Sequence, residues 1–99
     1  MASQIRVTST QINSKKERLQ QLNSTFKSRL EDMNTTEKQL LTMWEGDAAK
    51  AFKASYDRDY KKMLELHKVV QSYCKALEQI VKQYEQSERK NVSTAKNRG

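Results

Sequence analysis

His67 and Cys74 are the single histidine and the single cysteine of this 99-residue chain, and they bound the chemistry it can perform. One thiol makes no intrachain disulfide and no cysteine-based metal site. His67 lacks a second ligand at helical spacing, since positions 63 and 71 hold Met63 and Gln71. There is no glycine-rich phosphate loop, and one histidine on a helix flank assembles no Ser, His and Asp constellation. The residues therefore supply no catalytic nucleophile and base pair, no cofactor site and no metal site. The expectation is a protein that is not an enzyme. Cys74 reads as a small buried hydrophobe, with an interchain disulfide as the alternative.

A second chemistry, anion binding, has a clearer pattern. Lys61, Lys68, Lys75, Lys82 and Arg89 recur every seven residues, which on a helix is a rise of about 10.5 Å. Such a line can follow phosphates or anionic lipid. Glu65, Glu78 and Glu85 interrupt the neighbouring positions, and no arginine-rich base-reading helix accompanies it, so a solvated helix face is the preferred reading. Nucleic acid and anionic membrane stay as a lesser alternative. The net charge of +7 is concentrated at the C-terminal end, where residues 89–99 hold four basic residues and no acid.

The elements that carry these residues follow from composition. Apolar residues make up 35% and charged residues 31%, with no proline and only Gly46 and Gly99 as glycines. So polar a chain buries a thin core, and the lack of breakers favours long helices. No apolar run is long enough to cross a membrane, and the opening MASQIRVTST is no ordinary signal peptide. Thr8 with Gln11 forms a capping box, and Val7 with Ile12 a hydrophobic staple, so the first helix is expected to start at Thr8. Ile12, Leu19, Phe26, Met33 and Leu40 then recur at seven-residue intervals. Asn34, Thr35 and Thr36 form a weak spot, where a second capping box with Gln39 would break the helix. Gly46 marks the turn, with Asp47 as N-cap of the second helix. There Ala49, Tyr56, Met63, Val70, Leu77 and Tyr84 form one heptad position, and Phe52, Leu66, Tyr73 and Ile80 the other, with Asp59 as the exception.

These signals predict an all-α fold, an antiparallel helix-turn-helix hairpin. The expected organisation is an extended N-terminus over 1–7, a hairpin over 8–88 (helix 8–43, turn 44–47, helix 48–88) and a basic flexible tail over 89–99. Two helices cover only one side of each stripe, so the hairpin is expected to pair into a four-helix bundle as a dimer. Leu19, Phe26, Met33, Phe52, Tyr56, Met63, Val70 and Leu77 are the expected dimer seam.

Trp44-Glu45-Gly46 stands near the middle of the chain between two amphipathic helices, and Tyr84-Glu85-Gln86-Ser87-Glu88 near its end reads Tyr-x-x-x-Glu. The combination resembles the WXG family of small type VII (ESX) secretion substrates, the group that includes the early secreted antigenic target proteins. The resemblance spans Ile5 to Glu88. It implies a hairpin, dimerisation, no catalysis, and export without a cleaved signal peptide by an ATPase-driven membrane machine, from a cytoplasmic pool. Carried over by position, Trp44 and Gly46 match the turn motif and Tyr84 and Glu88 the C-terminal export motif. The partners it implies are a second copy or a related helical protein, together with the secretion ATPase, and the role after export is that of a secreted effector or virulence factor. Within the same secretion class the hairpin also reads as an adaptor for the helical N-terminal domain of a larger type VII toxin. Beside these readings, Trp44 by itself would serve as a hydrophobic plug at the hairpin end, Tyr84 continues the stripe of Leu77, and Glu88 would be an ordinary solvated acid.

Overall fold

The computed structural model describes the backbone of residues 2–98 and the side chains of residues 8–91. Two helices, α1 (Ala2–Met43) and α2 (Asp47–Arg98), lie antiparallel in a rod of 80 × 17 × 13 Å. No strand occurs among the described residues. The chain is a helical hairpin, as the two heptad stripes and the single internal glycine lead one to expect.

The helix limits differ from the sequence expectation at three places. First, α1 begins at Ala2 and runs through Thr8, so residues 2–7 are helical and not extended. Neither proline nor glycine occurs there, and extending a helix that is already nucleated costs little, so a capping box does not oblige the helix to start at it. The side chain of Val7, and with it the staple, lies outside the described residues. Second, α2 starts at Asp47, and Gly46 is the residue whose carbonyl accepts the opening bond, from the Lys50 amide at 3.2 Å. Asp47 therefore sits inside the first turn, where a carboxylate suits the positive end of the helix dipole. Third, α2 does not stop at Glu88 but continues to Arg98, again for want of any breaker before Gly99. The weak spot at Asn34 to Thr36 does not break α1, and the Thr35 hydroxyl donates to the Glu31 carbonyl at 3.1 Å without interrupting the helix.

Periodicity did not disclose which line of α1 faces α2. That line is Ser9, Lys16, Asn23, Leu30 and Glu37, of which Ser9, Asn23, Leu30 and Glu37 are buried. On α2 the inward line is Tyr60, His67, Cys74 and Val81, with Cys74 and Val81 buried. The hairpin interior is thus thin and partly polar: Leu30 at 1% and Cys74 at 2% exposure are its best-buried large side chains. Two polar contacts set the register. The Asn23 side-chain amide donates to the His67 carbonyl at 2.9 Å, and Lys16 Nζ reaches Glu78 Oε1 at 3.0 Å.

The apolar stripes lie to one side of this interior. Leu19, Phe26 and Met33 stand three residues on from Lys16, Asn23 and Leu30, and Met63, Val70 and Leu77 stand three on from Tyr60, His67 and Cys74. In an antiparallel pair, equal steps from the inward line come out on the same side of both helices. One flat side of the hairpin therefore carries both apolar stripes along its length, with Lys15, Arg29 and Asp59 as the charged residues in its outer columns. The other carries the lysine line of α2, one residue on from the inward positions.

Candidate functional site

The turn owes its shape to Gly46, whose φ of 105° is a backbone conformation that side chains disfavour. It lets the chain reverse within Trp44, Glu45 and Gly46, between the end of α1 and the start of α2. No heavy atom stands within 4 Å of where a Cβ would be, so the glycine serves the backbone and not a close approach. Trp44 is half-buried, its ring folded over the start of α2 with its centroid 5.6 Å from that of Phe52. The stack continues through Tyr56 at 6.2 Å and Tyr60 at a further 5.8 Å, each one helical turn on. Tyr60 was not singled out from sequence, although its spacing from Tyr56 and Phe52 carries the signal.

Beneath this stack lies a buried polar node. One carboxylate oxygen of Glu37 and the hydroxyl of Tyr56 are buried without a hydrogen-bond partner among the described residues. Burial raises the Tyr56 phenol above its ordinary pKa, and the negative charge of Glu37 adds to the effect. Lys53 is raised too, chiefly by its 2.7 Å hydrogen bond to Asp57 and by that carboxylate's charge.

At the opposite end, Tyr84 and Glu88 stand one turn apart on α2. Tyr84 is 49% exposed, not packed as the continuing stripe suggested, whereas Glu88 is half-buried instead of fully solvated. The two motif halves do not meet within one chain: forty residues of α2 separate Tyr84 from Trp44, about 60 Å of helix.

A family model described as proteins of 100 residues with WXG, the WXG100 family, matches residues 4–89. The chain belongs to the WXG100 family. Neither a curated protein nor a solved structure matches it. WXG100 chains are small type VII secretion substrates, secreted helical proteins and not enzymes, and they typically pair with related helical partners. In this WXG100 chain the motif residues for which the family is described are Trp44 and Gly46, at the closed end of the hairpin.

The residues expected to form the dimer seam of this WXG100 protein are divided by the fold. Leu19, Phe26, Tyr56, Met63, Val70 and Leu77 are half-buried along the rim of the hairpin interior, while Met33 and Phe52 are exposed. Beyond them the apolar side is open, with Leu22 at 49% and Leu66 at 52% exposure near its middle. Lys61, Lys68, Lys75, Lys82 and Arg89 are all exposed on the reverse side. Cys74 is a free, buried thiol. Among the described residues no group of three His, Cys, Asp or Glu side chains is placed to hold a metal ion, and no helix is long and apolar enough to cross a membrane.

Proposed function

We propose that this WXG100 protein is exported by a type VII machine as a folded antiparallel pair of hairpins, and that the secretion ATPase reads a composite surface at the ends of that pair. The observation that carries the reading is the separation of the two motif halves along a hairpin whose apolar side is open throughout its length. A partner laid antiparallel on that side covers the apolar stripe. It also brings its own tail beside the turn, so that Trp44 and Gly46 of one subunit stand near Tyr84 and Glu88 of the other. Export then depends on assembly.

The partner is a second copy or a related helical protein, including the helical N-terminal domain of a larger type VII toxin. The exported chain acts outside as a secreted effector or virulence factor through its surfaces, not by catalysis. Deleting the secretion ATPase and blotting cells and medium tests this reading. The protein should appear in the medium of the parent strain at its full mass and be confined to the cells of the deletion strain. Equal amounts in both media would contradict it.

A further inference from the structure

The contact of Asn23 with the His67 carbonyl divides the hairpin into two halves of different charge. On the turn side of it, residues 23–67 hold eight basic and eight acidic residues. On the open side, residues 2–22 of α1 and 68–98 of α2 lie together with eleven basic and four acidic residues, so the whole net charge of +7 falls in that half. The linear sequence spreads this excess over both ends of the chain, and the antiparallel fold gathers it at one end of the rod. The same register carries α2 past the start of α1. Ala2 lies 21 residues before Asn23, and 21 residues after His67 stands Glu88. Residues 89–98 therefore continue as a single helix for about 15 Å, with Arg89, Lys90, Lys96 and Arg98 and no acid among them.

On the side turned away from the apolar stripes, this half carries Lys68, Lys75, Lys82 and Arg89 in line along α2, all exposed, over about 32 Å. In the sequence Glu65, Glu78 and Glu85 interrupt that row, but the fold sets them apart from it. Glu65 belongs to the neutral turn half. Glu78 and Glu85 are half-buried on the flank toward α1, and Glu78 Oε1 accepts a hydrogen bond from Lys16 Nζ at 3.0 Å. The outer flank, Ser72, Gln79 and Gln86, is exposed and uncharged. On α1, Glu17 is the acid that faces this side of the open half. The cations thus project into solvent while the acids next to the row are drawn toward the interior.

We propose that the basic half of the hairpin is a docking surface for an anionic lipid bilayer, which it meets along Lys68, Lys75, Lys82 and Arg89 and along the protruding end of α2. Cations in line on a rod reach a flat anionic surface together, and each adds its attraction to the acidic headgroups. A nucleic acid duplex fits this surface less well, because the 17 × 13 Å cross-section of the rod exceeds the roughly 12 Å width of a major groove. The row and its outer flank are polar throughout, so the contact is with headgroups and not with acyl chains, and salt should release it. The row lies opposite the apolar stripes. It therefore stays open whether or not a partner covers them, and the inference does not depend on the export route proposed above.

The test is flotation of the purified full-length chain with vesicles of phosphatidylcholine alone or mixed with an equal part of phosphatidylglycerol, in low and in high salt. Far-UV circular dichroism verifies that each variant keeps its helices. Wild type should float with the anionic vesicles in low salt, stay behind from the neutral ones, and be released in high salt. Lys75→Glu, Lys82→Glu and Arg89→Glu combined should weaken binding to the anionic vesicles about a hundredfold or more. Lys38→Glu, Lys50→Glu and Arg58→Glu combined change the net charge equally at three exposed positions of the turn half, and should cost only a small part of that. Where the first triple loses helix, the corresponding changes to Gln in both triples serve instead. Equal loss in the two triples would mean that net charge and not this surface governs binding, and would overturn the proposal. A wild-type chain that ignores phosphatidylglycerol would overturn it as well. Tighter retention on a DNA duplex than on the anionic vesicles at the same salt would assign the row to nucleic acid and overturn the bilayer as its occupant.

Discussion

The Asn23 amide donates to the His67 carbonyl at 2.9 Å, joining the two helices at the middle of the hairpin through a side chain that is buried. The His67 carbonyl already belongs to the helical ladder of α2 and takes this bond on its second lone pair. The bond favours the register in which Asn23 meets that carbonyl, since a shift along α2 would break it. Asn23→Ala should therefore lower stability by about 1 kcal/mol, the usual net value of a buried neutral hydrogen bond. The helical signal should be unchanged at 25 °C, and the urea midpoint should fall.

At the turn, strain and space can be separated. Gly46 has a φ of 105°, and no heavy atom lies within 4 Å of the point an added Cβ would occupy. Gly46→Ala should cost about 1 kcal/mol through backbone strain alone, and Gly46→Val somewhat more because branching at Cβ narrows the backbone choices further. Thermal melts of the two variants would check this. A loss confined to Val would mean that crowding, not φ, governs the turn.

Burial within one chain and burial in a pair are distinguished by Leu30 and Leu66. Leu30 is 1% exposed between the helices, so Leu30→Ala should cost about 2–4 kcal/mol of hairpin stability. Leu66 is open to solvent in the hairpin, and Leu66→Asp should leave the helices formed while abolishing the dimer. Circular dichroism and sedimentation on the same samples give the two readouts. Loss of helix in both variants would mean that the hairpin does not form apart from its partner.

The hairpin was legible in the sequence because its determinants are local: two seven-residue stripes, a breaker-free composition and one glycine between them. The interior was not. Its α1 line runs Ser9, Lys16, Asn23, Leu30, Glu37, and a search for apolar periodicity passes over four of those five residues. The stripe that such a search does find, Leu19, Phe26 and Met33, lies on the rim and on the open side, where the proposed partner would share it with the hairpin. Helix ends failed for a related reason. Thr8 with Gln11 is a sound cap, but a local cap competes with propagation through Ala2 to Val7, and no breaker decides against the longer helix. At the motifs, residue identity was readable, whereas the aromatic stack from Trp44 to Tyr60 and the exposure of Tyr84 required the fold.

Acid should weaken the hairpin at a defined contact. Lys16 holds the Glu78 carboxyl below the usual carboxylate range, first by its hydrogen bond and then by its charge. A carboxyl whose folded pKa is depressed contributes stability above its unfolded pKa, and that contribution is lost as pH falls through the folded value. Lys16→Met should therefore differ most from wild type at neutral pH, and the gap should close as pH falls through about 4 and below. Urea titrations at stepped pH would follow it; a gap that widens in acid would contradict the assignment.

Export of a mixed pair is the most direct measurement of the central claim. Glu88 lies inside a helix that continues to Arg98, so Glu88→Ala should fold, pair and melt at least as well as wild type. Trp44→Ala should lose the ring contact to Phe52, about 1 kcal/mol, and keep its fold. Neither homodimer should leave the cell. With the two variants co-expressed under different tags, the mixed dimer retains one end at which Trp44 of one chain stands beside Tyr84 and Glu88 of the other, and the account predicts that both tags appear in the medium as a pair. If the mixed dimer forms in the cells and stays there, or if either variant is exported alone at the wild-type level, the turn and the tail are not read as one surface.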